Sequence, residues 1–135
     1  MYIRMIKRRI GSIVIALMAV LMLGACSDSG KEENYMMINA EKAKEMMDKT
    51  EEFVLLDVRS REEFSLEHIP GAIVIPHDEI IAKAEDEIKN KDIPVFVYCR
   101  SGNRSKIAAE SLVSLGYKNV YEFGGINSWP YETES

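Results

Sequence analysis

One thiol in the sequence stands where a nucleophile is expected, directly after an apolar run and directly before a polar loop. Cys99 follows the run Pro94–Tyr98, and the loop Cys99–Arg104 leads into a helix predicted to begin at Ser105. The backbone N–H groups of such a loop, above a helix N-terminus, can bind an anion. Together with the two arginines of the loop, they favour thiolate over thiol. We therefore predict that Cys99 is a nucleophile at neutral pH.

The other residues of this loop could hold an anionic substrate. Gly102 permits tight backbone curvature, and the two arginines carry the charge that an oxyanion needs. The alternative for the cysteine is a buried, inert core thiol, but a core residue needs no arginine beside it. The alternative for the arginines is solvated surface charge. The candidate substrate-binding residues are Arg100, Ser101, Gly102, Asn103 and Arg104.

The second cysteine lies in a segment typical of export signals. Four basic residues precede an apolar run over residues 10–23, which ends in Leu23-Gly24-Ala25-Cys26. The run is short for a bilayer span, which needs about 20 apolar residues. Its end resembles the lipobox of bacterial lipoproteins, in which the Cys is lipidated. We predict a signal peptide at 1–25, lipidation of Cys26 and a flexible tether at 26–33. An uncleaved membrane helix is the alternative.

Removal of the signal peptide would make an acidic chain more acidic. The full chain has 17 basic and 22 acidic side chains, for a formal net charge of −5. The signal holds four of the basic side chains and none of the acidic ones, so 13 remain against 22, a net charge of −9. This charge argues against nucleic acid as a partner. With Cys26 lipidated, Cys99 is the only thiol left, so no intramolecular disulfide can form.

Strand-like and helix-like segments alternate from residue 34 onward. Strands are predicted at 35–38, 53–56, 72–75, 94–98 and 120–123. Helices are predicted at 40–48, 78–90 and 105–115, and Ser60 with Glu63 forms a capping box that opens a short one. The runs 53–56 and 94–98 are continuously apolar, which is typical of strands buried on both faces. The sequence therefore predicts one α/β domain over 34–135, a central parallel sheet with helices on both faces.

Three groups of residues together resemble the single-domain rhodaneses. The active loop, the family's N-terminal signature and its C-terminal signature occur in the expected order and spacing, and they extend over residues 34–129. The matching segments are Cys99–Ser105, then Leu56–Arg59 with Glu63-Phe64 and His68–Ala72, and finally Gly124-Gly125 with Trp129. His-Ile-Pro-Gly-Ala or Gly-Gly alone would be a weak signal. The resemblance implies a rhodanese-like domain.

The resemblance also implies a supporting role for four charged or polar residues. They are expected to tie the strand end and the following turn beneath the active loop, and they are Asp57, Arg59, Glu63 and His68. Two positions depart from the family pattern. Glu67 stands where Gly usually precedes the His, and Val74 stands where many members have Asn. Neither departure touches the nucleophile, but both could alter the rim of the site.

Sulfur transfer through a covalent intermediate is the chemistry that the resemblance implies. The Cys99 thiolate would attack the outer sulfur of a donor such as thiosulfate, release sulfite and hold a persulfide that a thiol or cyanide then collects. Arg100 and Arg104 would orient the donor. No cofactor is needed. With only His68 and His77 and no second Cys in the folded domain, no metal site is expected.

Two other functions remain open at this point. The rhodanese fold also supports phosphatase or arsenate reductase chemistry, but with five residues between Cys and Arg, whereas Cys99 and Arg104 enclose four. The second alternative is a non-enzymatic sulfur or redox interaction module at the membrane. We expect a monomer on the extracytoplasmic face of the cell membrane, held by its lipid anchor. The expected partners are a small sulfur-donor anion and a thiol acceptor or thioredoxin-like protein.

Overall fold

The computed structural model describes residues 34–135. The predicted signal peptide at 1–25, the lipidation site Cys26 and the tether at 26–33 lie outside the described residues, so these stay predictions. Within residues 34–135, no helix has both the length and the apolar character needed to cross a lipid bilayer.

Five parallel strands form the central sheet. They are β1 (Met36–Met37), β2 (Val54–Asp57), β3 (Ile73–Val74), β4 (Val95–Cys99) and β5 (Val120–Gly125). Their order across the sheet is β1-β5-β4-β2-β3, and every neighbouring pair is parallel. All five residues of the central strand β4 are buried, as expected of a continuous apolar run in a parallel sheet. The predicted parallel α/β sheet is confirmed.

Four α-helices connect the strands. They are α1 (Ala40–Lys49), α2 (Arg61–Leu66), α3 (Ile80–Glu87) and α4 (Asn103–Ser114), and short 3-10 helices occupy His77–Glu79 and Ile126–Ser128. Helix α1 begins after Asn39, whose side chain accepts a hydrogen bond from the N–H of Lys42. Helix α2 begins at the predicted capping box, in which Ser60 and Glu63 satisfy each other's backbone N–H.

Apolar side chains form a cluster on each face of the sheet. Side chains alternate along β4, so Val97 and Cys99 pack with α3 and α4, whereas Phe96 and Tyr98 pack with α1. Each cluster thus buries one face of the same strand. Helices cover both faces, as predicted, and ligands of such folds bind at the carboxyl edge of the sheet.

Helices α3 and α4 differ in extent from the predicted ones. Helix α4 begins at Asn103 instead of residue 105, because Gly102 takes up a left-handed backbone (φ 115°) and completes the turn out of the loop earlier. Helix α3 covers Ile80–Glu87 instead of 78–90. The residues before it form a 3-10 turn, and the helix ends where Ile88 leaves the helical conformation and is buried in the core.

Candidate active site

Cys99 is the last residue of the central strand, at the carboxyl edge of the sheet. Its Sγ accepts a hydrogen bond from the N–H of Gly102, with an N···S distance of 3.0 Å. The Oγ of Ser105 lies 3.3 Å from the sulfur, and the carbonyl oxygen of Gly124 lies 3.8 Å away. Cys99 is only 1% exposed. The polar contacts of its sulfur are therefore made by the protein itself.

Gly102 brings the active loop back over the sulfur. Its positive φ of 115° is a conformation that favours glycine, and it directly precedes the 12-residue helix α4. The N-terminus of that helix carries partial positive charge, which favours an anion at this point. A β-carbon on Gly102 would lie 3.6 Å from the Cα of Gly124 and 3.9 Å from Oε1 of Glu122. The loop therefore packs directly against the end of β5.

The surroundings of Cys99 lower the pKa of its thiol. Burial acts in the opposite direction, because it disfavours the charged thiolate. Hydrogen bonds from the side chain and N–H of Ser105 and from the N–H groups of Gly102 and Ser101 outweigh burial. The largest favourable contributions thus come from hydrogen-bond donors of the loop and the first helical turn. The sequence had pointed to such N–H groups and to the arginines together.

Two residues at this site were not predicted as site residues from the sequence. Ser105 was included only as the last residue of the active-loop resemblance, and Glu122 was not singled out. The Ser105 hydroxyl donates to Oε1 of Glu122 at 2.6 Å, and the N–H of Gly124 donates to the same oxygen at 2.8 Å. Both side chains are buried, Ser105 at 0% and Glu122 at 3% exposure. The available signal was an acidic residue in the apolar strand Val120–Phe123. Only the pairing of β4 with β5 shows that it reaches the cysteine.

The two adjacent glycines at the end of β5 have different surroundings. The pairing of β4 with β5 shifts by one residue between Val97 and Cys99, so Cys99 pairs with Gly125 instead of Gly124. Gly124 has a φ of +86° and open space where a β-carbon would lie. Gly125 has an extended backbone, but a β-carbon there would overlap the carbonyl group of Arg100. The active loop therefore rests directly on Gly125.

Arg104 joins the first turn of α4 to helix α2. Its guanidinium donates to both carboxylate oxygens of Glu63, Nη1 to Oε2 at 2.7 Å and Nη2 to Oε1 at 3.0 Å. This hydrogen bonding is the main reason that the pKa of Glu63 falls to about 2. The same contact is the main cause that raises the pKa of Arg104, and the charge of Cys99 contributes in the same direction. The guanidinium of Arg104 is therefore bound to Glu63, and its positive charge favours a thiolate at Cys99.

Comparison with known proteins places this site in a family. The family model for the rhodanese-like domain matches residues 39–131, which include the whole loop and both strands that flank it. The chain belongs to the rhodanese-like domain family.

Several relatives of this rhodanese-like domain are sulfurtransferases by name. The thiosulfate sulfurtransferase PspE of Escherichia coli is 38% identical over 71 residues, which is 53% of this chain and 68% of PspE. The adenylyltransferase and sulfurtransferase UBA4 of Candida albicans is 37% identical over 89 residues, 61% of this chain and 20% of UBA4. The chain therefore spans about one fifth of the length of that relative. At the level of the family, sulfur transfer is the supported chemistry.

A solved structure shares the fold. The structure described as a rhodanese with anions from E. coli superimposes with a TM-score of 0.59 at 32% sequence identity, over 62% of this chain and 99% of that one. The predicted rhodanese-like fold is thereby confirmed.

Asp57 and Arg59 form a buried ion pair at the carboxyl end of β2. Arg59 Nη2 donates to Asp57 Oδ2 at 2.7 Å and to the carbonyl oxygen of Glu67 at 2.6 Å. Burial by itself would lower the pKa of Arg59, but the hydrogen bond and charge of Asp57 raise it. Burial, followed by the charge of Asp57, raises the pKa of the neighbouring Tyr98. The pair links the end of β2 to the carbonyl of Glu67, and its support of the active loop stays a prediction.

His68 and Glu67 connect the turn after α2 to residues near 134. The His68 ring stacks on Phe64 with centroids 3.9 Å apart, and its Nδ1 lies 2.8 Å from the Phe64 carbonyl oxygen. The backbone of His68 forms an antiparallel bridge with Glu134. Glu67, one of the two departures from the family pattern, accepts a hydrogen bond from the Thr133 hydroxyl. These contacts are structural, and none of them reaches the sulfur.

The remaining loop residues surround the site without touching the thiol through their side chains. Arg100, Ser101 and Asn103 are exposed, and the carbonyl oxygen of Arg100 accepts a hydrogen bond from the N–H of Asn127. Among residues 34–135, no group of three His, Cys, Asp or Glu side chains is arranged to hold a metal ion. The substrate-binding role of the loop residues stays a prediction.

A separate groove lies on the other face of the sheet. It has a volume of about 940 Å³ and is lined by residues that include Met47, Phe53, Ile69, Trp129 and Tyr131. Met47 and Ile69 belong to the apolar cluster opposite the one that contains Cys99. The groove is therefore distinct from the cysteine site.

Proposed function

We propose that this rhodanese-like domain is a sulfurtransferase that carries sulfur as a persulfide on Cys99. The thiolate attacks the outer sulfur of thiosulfate or a similar donor. A new S–S bond forms to Cys99, the S–S bond of the donor breaks, and sulfite leaves with the bonding electron pair. A thiolate or cyanide then attacks the outer sulfur of the persulfide. Cys99 is released as thiolate, and the acceptor leaves as a persulfide or as thiocyanate.

The observation that carries this proposal is the environment of the Cys99 sulfur. The N–H of Gly102 points at Sγ from 3.0 Å, and donors of the loop and the first helical turn lower the pKa of the thiol. Such donors stabilise a thiolate before attack and an anionic persulfide after it. A cysteine with this setting at the carboxyl edge of a parallel sheet suits nucleophilic chemistry.

Arg104 has a role in donor binding that must be reconciled with its contact to Glu63. The guanidinium has five N–H donors in all, and two of its nitrogens donate to Glu63. In the proposed function Arg104 supplies charge near the sulfur while Glu63 fixes its position. Arg100, whose side chain is exposed at the rim, then makes the first contact with an incoming anion.

We further propose that the domain works at the extracytoplasmic face of the cell membrane, as a monomer attached through lipidated Cys26. The support is the sequence alone: a basic segment, a short apolar run and Leu23-Gly24-Ala25-Cys26 in succession. The proposed acceptor is a thiol, including that of a thioredoxin-like protein in the same compartment.

Mass spectrometry of the sulfur-loaded protein tests the proposed chemistry. The full chain, extracted in detergent and incubated with thiosulfate, should gain about 32 Da on the peptide that contains Cys99, the mass of one sulfur atom. Cyanide or a reducing thiol should remove the added mass. The Cys99→Ser variant should keep the fold, because the change in volume is small, and should gain no sulfur.

Two outcomes would contradict the proposal. One is sulfur transfer by the Cys99→Ser variant at the rate of the wild-type protein. The other is a wild-type protein that takes no sulfur from thiosulfate or mercaptopyruvate, yet forms a trapped mixed disulfide with a thioredoxin-like protein. The second result would favour the interaction module over the enzyme.

A further inference from the structure

Glu122 is a buried carboxylate that the sulfur-transfer steps do not use. It lies on β5, is 3% exposed and faces the same side of the sheet as Cys99 and α4. Burial of a carboxylate is costly unless its oxygens are hydrogen-bonded. Its Oε1 accepts from the N–H of Gly124 at 2.8 Å and from the Ser105 hydroxyl at 2.6 Å. An acidic side chain in this position needs a reason beyond packing.

Ser105 stands between Glu122 and Cys99 with a single proton to donate. Its Oγ lies 2.6 Å from Glu122 Oε1 and 3.3 Å from Cys99 Sγ, and two carbonyl oxygens, of Gly102 and Gly124, lie at 3.0 and 3.2 Å. Carbonyl oxygens only accept. At the shortest distance the hydroxyl donates to Glu122, which leaves its oxygen free to accept from the thiol. The three side chains thus form a continuous hydrogen-bonded line from sulfur to carboxylate.

We infer that Glu122 is the internal proton acceptor of Cys99 and acts through the hydroxyl of Ser105. The thiol proton moves from Sγ to Oγ while the hydroxyl proton moves from Oγ to Oε1 of Glu122. One S–H bond and one O–H bond break, and two O–H bonds form. The result is a thiolate that accepts from Ser105 and a neutral carboxyl group that donates to Ser105. No proton enters or leaves the protein in this step.

The surrounding charges favour one negative charge on this line. If Cys99 and Glu122 were both ionised, two buried anions would flank one hydroxyl, which a low-dielectric interior disfavours. The charge of Arg104 interacts favourably with that of Cys99, but the guanidinium is already paired with the carboxylate of Glu63. The other titratable side chains in the apolar cluster around Cys99 are Tyr35, which precedes β1, and Tyr117, whose hydroxyl donates to the carbonyl oxygen of Ile88. Cys99 and Glu122 therefore share one proton and one charge.

This sharing has a consequence for the pH dependence of the thiolate. Two coupled groups release their protons in two steps that belong to the pair. Between the steps the pair holds one proton, so the thiolate fraction does not change with pH. A cysteine without such a partner has a single step, and its thiolate fraction falls about tenfold for each pH unit below its pKa. Glu122 is thus a positioning residue, because it acts on Cys99 through Ser105. Its role in catalysis rests on the proposed function.

Alkylation of Cys99 measures the thiolate directly and does not depend on sulfur transfer. We would treat the full chain in detergent with iodoacetamide between about pH 4 and pH 10 and follow the peptide that contains Cys99, looking for the two steps of a coupled pair. The wild-type rate should show two steps with a plateau between them. The Glu122→Gln variant keeps the shape of the side chain and an oxygen for Gly124, but cannot take up a proton. Its profile should show a single step.

Ser105 provides a second test if the Glu122 variant does not fold. In Ser105→Ala the plateau should fall by about tenfold or more, the value of one charge-assisted hydrogen bond, whereas Ser105→Thr keeps the hydroxyl and should restore it. Ser111→Ala on the same helix is the matched control and should leave the profile unchanged, because the Ser111 hydroxyl donates to the carbonyl of Ile107 and is not part of this hydrogen-bonded line.

The inference is overturned by a wild-type profile with one step, by two steps in folded Glu122→Gln, or by equal plateaus in Ser105→Ala and wild type. Failure of the proposed sulfur transfer would give a different experimental result. If thiosulfate adds no sulfur to Cys99 while the alkylation profiles behave as expected, the proton relay exists and the sulfur donor has been wrongly assigned. If sulfur is added but the profiles do not differ, the proposed function holds without the relay.

Discussion

Replacement of Gly125 by alanine should displace the active loop and reduce both stability and reactivity. A β-carbon at this position would overlap the carbonyl group of Arg100 and lie 2.5 Å from the backbone nitrogen of Ser101. Non-bonded heavy atoms prefer a separation of about 3.5 Å, so the peptide between these two residues must retreat by about 1 Å or more. The retreat would also stretch the hydrogen bond from the N–H of Asn127 to the carbonyl of Arg100.

The expected magnitudes follow from this displacement. Overpacking against backbone costs about 3 kcal/mol, and the weakened hydrogen bond adds about 1 kcal/mol. The N–H of Gly102 follows Ser101 by one peptide and would move away from the Cys99 sulfur, so the pKa of the thiol should rise. A misplacement of about 1 Å in a catalytic group can reduce a rate on the order of 100-fold. We expect that reduction in persulfide formation.

The neighbouring glycine supplies a matched control. Gly124→Ala places a β-carbon in open space and costs only the strain of a left-handed backbone, about 1–2 kcal/mol. Urea unfolding should therefore rank the variants as wild type, Gly124→Ala and Gly125→Ala in decreasing stability. Iodoacetamide alkylation at one pH should be slowed chiefly in Gly125→Ala. Equal stability and equal alkylation rates for the two variants would refute the reasoning.

Three further predictions concern ion pairs and the anchor. The pKa of Glu63 is lowered, chiefly by Arg104, to about 2 from an ordinary value of 4.5. The ion pair therefore stabilises the folded domain fully above pH 4.5, and this stabilisation is lost as the pH falls towards 2. The pair is about 30% exposed, so we expect urea unfolding to show a loss of about 2 kcal/mol in the free energy of unfolding over that pH range. The Glu63→Gln variant should not show this loss. Parallel pH dependence of the two proteins would contradict the prediction. Asp57→Asn leaves the charge of Arg59 unpaired in the core and should destabilise the domain by about 3–5 kcal/mol, whereas a change below 1 kcal/mol would show that solvent reaches the pair. Cys26→Ser should prevent lipidation and leave the precursor uncleaved; mass spectrometry that finds unchanged acylation would disprove the anchor.

The sequence was informative where a local pattern decides the structure. The apolar runs at 53–56 and 94–98 form adjacent buried strands, and the capping box at Ser60 begins a helix as predicted. The predicted helix ends were less accurate, because a helix can end where a side chain must turn to be buried in the core. Ile88 leaves α3 to be buried, and no helix propensity records that requirement.

The contacts of the site required the pairing of distant segments. Cys99 and Gly102 are close in sequence, so their interaction could be predicted from the loop. Glu122 reaches the site because β5 pairs with β4, which places Glu122 opposite Val97, two residues before Cys99. Similarly, the pairing of Arg104 with Glu63 joins residues 41 positions apart. Periodicity gives the face of a residue on its own element but not its neighbour across the sheet.

The shift between β4 and β5 limits how the active loop could be transferred to another protein. Residues 99–104 form one continuous segment that could be grafted as a unit. The surface on which they pack, however, is made by Glu122, Gly124 and Gly125, about twenty positions later. A graft of the loop alone would carry the thiol. It would lack Ser105, which contacts the thiol, and Gly125, which leaves space for the carbonyl group of Arg100. The smallest transferable unit is the β4-α4-β5 segment, Val95–Gly125, with its irregular pairing intact. A scaffold with regular strand pairing would present a side chain where the loop must rest.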